Sequence, residues 1–154
     1  MKIWVDADAA PRAVKEIVAR AAARLEVPTC FVANQRIGTP PHNPWVSAER
    51  VEGGPDAADD WIAAHAAAGD LAVTADIALA ARLVENDVAV IDPRGTKYTG
   101  ENVLERLSMR DFMEGLRGAG VETGGPSGFG EKEKRAFAAT FDRVLTALWR
   151  GATG

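Results

Sequence analysis

Six aspartates are the residues best suited to chemistry in this sequence. They arrive in three groups: Asp6 and Asp8; Asp56, Asp59 and Asp60; and Asp76. Asp6 and Asp8 are two residues apart, so in extended chain both carboxylates leave on the same side. Asp56 and Asp60 are four apart, which places them on one helix face. Carboxylates gathered without a counter-charge repel one another and raise each other's pKa. A divalent cation removes that repulsion, and an all-oxygen donor set suits Mg²⁺ or Mn²⁺ rather than zinc. His42 and His65 lack ligand spacing to each other, and neither pairs with Cys30, so a zinc site is not expected. Metal held by carboxylates activates water and clamps phosphate oxygens around an in-line attack. The expectation is phosphodiester hydrolysis, with Asp6, Asp60 and Asp76 catalytic and Asp6, Asp8, Asp56, Asp59, Asp60 and Asp76 holding the metal.

Ordinary roles compete with this reading, because aspartate also caps helices and makes turns. Capping is the favoured role for Asp56 taken alone, and a turn is favoured for Asp70 after Gly69. Asp92, before Pro93, divides evenly between a turn and the site.

The elements that must position these acids alternate between strand and helix. That alternation predicts an α/β fold with a mostly parallel sheet flanked by helices. Short apolar runs at 2–5, 29–33, 45–51, 71–74 and 88–91 read as strands. Pro11 suits a helix start, and Val14, Ile17, Val18, Ala21 and Leu25 follow at helical spacing. Further helices are expected from about Asp56 to Ala68, stopped by Gly69, and at 77–86, 101–107 and 109–117, with Ser108 capping the last. Gly38, Pro40, Pro41 and Pro44 make 34–44 a loop. Residues 118–130 are glycine-rich. A final helix over 131–150 carries Phe137, Phe141, Val144, Leu145 and Leu148 on one face. In a parallel α/β sheet, ligands bind outside the carboxyl ends of the strands. Asp6 and Asp8, Asp76 and Asp92 each follow a predicted strand.

With 154 residues the chain is expected to form one domain over 1–150, with 151–154 a tail. Hydrophobic residues at 47% and charged residues at 26% are ordinary globular usage, enough for a core without disulfides, which the single Cys30 excludes. No run approaches the roughly 20 apolar residues of a membrane helix. No basic and apolar leader precedes the first acids. The expected setting is cytoplasmic, with no membrane partner.

The motifs Trp4-Val5-Asp6-Ala7-Asp8-Ala9 with Pro11, Val32-Ala33-Asn34-Gln35 and Ala58-Asp59-Asp60 resemble the YaiI/YqxD family of bacterial proteins. So do Gly69-Asp70-Leu71, Thr74-Ala75-Asp76-Ile77, Pro93-Arg94-Gly95, Met109-Arg110-Asp111, Thr123-Gly124-Gly125-Pro126, Phe137-Ala138 and Asp142-Arg143. The resemblance spans nearly the whole chain and implies kinship with PIN-like and NYN-like nucleases. Those place acids after the first strand, at the start of a mid-chain helix and after a later strand in a Thr/Ser-x-Asp setting. Two departures stand out: Ala10 replaces the cysteine the family carries before the proline, and Asp92 replaces asparagine before Pro-Arg-Gly.

On the substrate side, Asn34, Arg36, Thr74, Arg94 and Lys97 are the expected contacts to nucleic acid, with RNA the expected partner. Guanidinium groups grip phosphate in a fork, and Thr74 is placed to hydrogen-bond a carboxylate. Trp45, Trp61 and Tyr98 are either base-stacking platforms or core, and core is favoured. The segment Thr123-Gly124-Gly125-Pro126 lacks the Gly-Lys-Ser/Thr of a P-loop. A net charge of −4 runs against the basic excess of many nucleic-acid binders, unless bound cations offset the acids. Two alternatives stay open: a non-catalytic nucleic-acid or protein-binding module, and a haloacid-dehalogenase-type phosphatase using Asp6-Ala7-Asp8. Ala10, where that phosphatase motif has threonine, weighs against the second. The sequence leaves the oligomeric state open.

Overall fold

A computed structural model describes residues 1–54, 56–120 and 128–153. Its elements run in the order β1 (Ile3–Asp6), α1 (Arg12–Leu25), β2 (Thr29–Ala33), β3 (Val46–Arg50), α2 (Ala57–His65) and β4 (Leu71–Val73). They continue with α3 (Ile77–Glu85), β5 (Ala89–Ile91), β6 (Lys97–Tyr98), α4 (Gly100–Gly118) and α5 (Glu131–Thr153). The sheet has the order β3-β2-β1-β4-β5-β6, parallel except for β6. The α/β expectation holds, and the arrangement is consistent with a PIN-like fold. After β1 the chain winds outward through β2 to β3, then returns to place β4 on the other side of β1. The carboxyl ends of β1 and β4 therefore flank the point where winding direction reverses, the usual place for a ligand crevice in such sheets.

Strand side chains alternate between two cores, as the period of two requires. Ile3, Val5, Phe31 and Val73 pack with α1 and α5, where Phe137 and Phe141 stack at 5.3 Å. Trp4, Val32, Ala72 and Val90 pack on the opposite side with Ala58 and Ile62 of α2, Leu79 and Leu83 of α3, and Val103 of α4. Asp6 follows the parity of Trp4 and so belongs to the α2–α3 side. At the other end of β1, buried Asp70 accepts from Lys2 N (3.0 Å), Trp4 Nε1 (3.0 Å) and Ala67 N (2.9 Å). The turn role expected for Asp70 is thus also a brace between β1 and β4.

Several boundaries differ from the sequence expectations. Helix α2 ends at His65, short of Ala68, because Ala66 turns extended and lets Ala67 N reach Asp70. The predicted pair of helices at 101–117 is one helix, and Ser108 lies inside it. Its start is set by a capping box in which Thr99 accepts from Asn102 N and Asn102 accepts from Thr99 N. This helix buries only Val103 fully, leaving Leu104, Met109 and Phe112 exposed, so no periodic core stripe marked its continuity. Strand β6 was not anticipated: two residues carry no readable period. Helix α5 continues to Thr153, so most of the predicted tail is helical. Residues 121–127 of the glycine-rich stretch lie outside the described residues.

Candidate acidic site

Four acids meet at the reversal point. Asp6, Asp8, Asp59 and Asp76 line one pocket of ≈ 370 Å³ with Asn34 and the small residues Ala9, Ala58 and Ala75. Each acid is carried there by a separate local device. Asp6 is the last residue of β1, and its Oδ2 accepts from Thr74 Oγ1 at 2.9 Å. Thr74, only 1% exposed, also accepts from Asp76 N at 3.0 Å, so one hydroxyl ties the ends of β1 and β4 together. Asp76 has extended backbone at the start of α3 and accepts from Leu79 N at 2.9 Å, a helix cap. Asp8 accepts from the backbone N–H of Asn34 at 2.7 Å, tying the β1 loop to the end of β2. Asp59 rides on α2 beside Ala58, which is buried against the sheet.

The electrostatics follow from this crowding. The carboxyl of Asp59 is pushed up to about 7, first by burial, then by the charges of Asp76 and Asp6 and by a hydrogen bond with Asp76. Asp6 is also raised, chiefly by burial; the Thr74 hydrogen bond opposes this, and Asp76 and Asp8 add to it. Near neutral pH the Asp59 carboxyl is therefore partly protonated, beside and hydrogen-bonded to Asp76. Asn34 Oδ1 is buried with no hydrogen-bond partner, another acceptor lacking a positive neighbour. Carboxylates plus an orphaned amide oxygen form an oxygen-only donor set, which fits a hard divalent cation. Among the described residues, no three His, Cys, Asp or Glu side chains stand close enough together as they are to hold a metal ion between them.

The remaining expected site residues are placed differently. Asp60 turns away from the pocket and pairs with Arg82 at 2.9 Å, with 68% of its side chain exposed. It follows Asp59 by about 100° around the helix, so only one of the two can face the strands. The structure does not bring this expected catalytic acid to the others. Asp56 occupies the N-cap position of α2, but its backbone is already helical and its side chain caps nothing, contrary to its expected role. It does not line the pocket and acts on Asp59 only as a nearby charge. Asp92 is a turn residue, one oxygen accepting from Arg94 N (3.0 Å) and Thr96 N (2.9 Å).

Of the expected substrate contacts, Asn34 lines the pocket and Thr74 braces it. Arg94 lines a neighbouring pocket of ≈ 400 Å³. Arg36 and Lys97 line neither pocket, and Lys97 lies in β6 rather than in a loop. Trp61 stacks on His65 at 3.9 Å, and Trp45 packs against the core, in keeping with the favoured structural role. Sequence reasoning missed Arg106 and Phe129 of the second pocket. It also passed over the alanines beside each pocket acid, whose small side chains leave the carboxylates room.

A parallel α/β sheet with an acid-lined pocket at its reversal point defines the class of this protein. The chain belongs to the family described as Uncharacterized BCR, YaiI/YqxD family, whose model matches residues 4–147. Among its relatives, a UPF0178 protein of Bordetella petrii is 50% identical over 150 residues, covering 97% of this chain and 99% of its own. A UPF0178 protein of Syntrophobacter fumaroxidans is 53% identical, covering 97% of each chain. One of Trichlorobacter lovleyi is 51% identical, covering 99% of this chain and 98% of its own. No solved structure gives a significant match. Among the described residues no helix is long and apolar enough to cross a membrane.

Proposed function

We propose that this chain hydrolyses phosphodiester bonds, with RNA as substrate, using a Mg²⁺ or Mn²⁺ ion held at Asp6, Asp8, Asp59 and Asp76. The observation that carries the reading is that four carboxylates from three chain segments line one pocket at the carboxyl ends of β1 and β4. A bound divalent cation supplies Lewis acidity and an activated water for in-line attack. The chain's own residues do the rest. Thr74 fixes Asp6 against Asp76, and the Asn34 N–H fixes Asp8. Asp59, poised at about 7, is suited to take or give a proton near neutral pH. Water would complete the shell, as it commonly does around Mg²⁺.

A second reading is favoured by one observation: Asp8 and Asp76 already serve as loop and helix ties, so the acids could belong to a binding module that does no chemistry. Calorimetric titration with Mn²⁺ and Mg²⁺ separates the two. Wild type is expected to bind, and Asp6→Asn combined with Asp76→Asn to lose binding. Wild type is then expected to cleave an RNA oligonucleotide in a reaction that chelator stops. Nucleic-acid binding that survives both chelator and Asp6→Asn, with no cleavage, favours the module. Inorganic phosphate released from small monoesters would point to phosphatase chemistry instead.

A further inference from the structure

The second pocket opens beside the first, and the two share Ala9 and Ala75. At both shared positions the side chain ends at Cβ, so no bulky group walls one pocket from the other. Their chemistry is opposite. The first is lined by carboxylates; the second combines the cations Arg94 and Arg106 with the apolar surfaces of Pro11, Ile77 and Phe129. We propose that this second pocket binds a nucleotide unit of the substrate, its ring system against Pro11, Ile77 and Phe129 and its phosphate at Arg94 and Arg106. The inference rests on the hydrolytic reading for its order of parts: the acid pocket takes the scissile phosphate, and the neighbouring pocket takes the adjoining nucleotide.

Size and charge agree with this assignment. A volume of ≈ 400 Å³ lies within the range of small-molecule sites. Asp92 is the one acid lining this pocket, and it does not offer a free charge. Its side chain is 10% exposed, one oxygen is taken by the N–H groups of Arg94 and Thr96, and the other faces Arg106 at 3.9 Å. Asp92 therefore orients Arg106, which also lies near Thr96 Oγ1 (3.4 Å) and over the Tyr98 ring (5.7 Å). A guanidinium has five N–H donors in a planar fork, so these contacts leave donors for a phosphate. Arg106 is 46% exposed and Arg94 38%, and Arg94 also faces Glu133 at 3.7 Å, a loose pair with which a phosphate would compete.

The loop presenting Arg94 is braced against α5. Gly95 O accepts from Thr140 Oγ1 of α5 at 2.8 Å. Gly95 itself has φ +94°, and a methyl group there would lie 2.6 Å from backbone atoms of Ala136. Only glycine fits that approach, and the approach fixes where Arg94 leaves the chain. Arg94 on a braced loop and Arg106 on α4, beside an apolar surface, are what nucleotide binding needs, because base contacts tolerate any sequence while the phosphate contact supplies affinity.

The test is titration of the full chain with AMP, adenosine and inorganic phosphate, without divalent cation, followed by amide chemical shifts. AMP is expected to bind more tightly than either fragment, with shifts centred on Ala75, Ile77, Arg94 and Phe129. Arg106→Gln is expected to weaken AMP by about tenfold or more, the usual loss for a hydrogen bond to a charged group. It should leave adenosine unchanged; Arg106→Lys, keeping the charge without the fork, should fall between. Asp59→Asn should not weaken AMP. AMP shifts absent from this pocket, or AMP affinity unchanged in a folded Arg106→Gln, would overturn the assignment. Oligonucleotide cleavage with no AMP binding sinks this inference and leaves the hydrolytic reading standing. AMP binding at the pocket with no cleavage under any cation does the reverse.

Discussion

The raised pKa of Asp59 makes a stability prediction whose sign is opposite to that of most carboxylates. In the unfolded chain Asp59 titrates near 3.8; in the fold it titrates at about 7. Between those values the folded state holds a proton that the unfolded state has released. Stability therefore falls as pH rises, and the loss is complete once Asp59 ionises in the fold. The span from 3.8 to about 7 corresponds to about 4 kcal/mol at 1.36 kcal/mol per unit. Asp59 is only partly buried, and solvent screening reduces that to about 1–2 kcal/mol. For a chain of this length, 1 kcal/mol moves Tm by about 2–4 °C, and the window from pH 5 to about 7 covers about two-thirds of the interval, so the cation-free protein should melt about 1–5 °C lower at pH 8 than at pH 5 on account of Asp59. Asp59→Asn carries the neutral form permanently and still offers a donor to Asp76. The assay is thermal denaturation of both proteins from pH 5 to pH 8.5 in chelator, read as the difference in Tm between them. That subtraction cancels Asp6, whose raised pKa gives the same slope in both. A difference that stays flat across the range refutes the claim that Asp59 is crowded by Asp6 and Asp76. Adding Mn²⁺ at pH 8 should restore wild type and help Asp59→Asn less.

Two further substitutions test the placement of individual groups. Thr74→Val removes the hydroxyl donor to Asp6 Oδ2 and the acceptor of Asp76 N; urea denaturation should show a loss of about 2–3 kcal/mol, with Thr74→Ser close to wild type, and equal stability of the valine variant would show that the brace is idle. Asp60→Asn breaks an exposed pair with Arg82 and should cost at most about 1 kcal/mol while leaving Mn²⁺ affinity unchanged; loss of Mn²⁺ binding would mean that α2 presents Asp60 to the cation.

Much of this architecture was legible in the residues because buried parallel strands and their helices write strong patterns. The strands at 29–33 and 71–74 and the buried face of α5 came from apolar runs and helical spacing alone. Asp6, Asp8 and Asp76 were legible as candidates for this pocket because each stands at or just after a strand end in a fold that binds ligands there. Choosing between Asp59 and Asp60 was not possible from spacing. Pairing Asp56 with Asp60 as i and i+4 was sound helix geometry, yet the face that matters is set by Ala58 and Ile62, which point into the sheet. Those two buried residues fix the rotation of α2 and leave Asp59 at the pocket. The second pocket was invisible for another reason: Pro11, Ile77, Arg94, Arg106 and Phe129 come from five separate segments that only the fold assembles.

The structural uses of these aspartates do not compete with a chemical one. A carboxylate has two oxygens, and at three of the four pocket acids the fold engages a particular one. Oδ2 of Asp6 meets Thr74, Oδ2 of Asp8 meets the Asn34 N–H, and Oδ1 of Asp76 meets the Leu79 N–H. Each such bond stops the carboxyl from rotating and leaves the second oxygen for a proton or a cation. That division explains how like charges are held close without a closed cage. Local hydrogen bonds supply the positioning, while the proton held by Asp59 relieves the repulsion until a cation displaces it. On this argument cation binding should release a proton near neutral pH and none well above it. The signature belongs to the pocket as a whole rather than to any one aspartate.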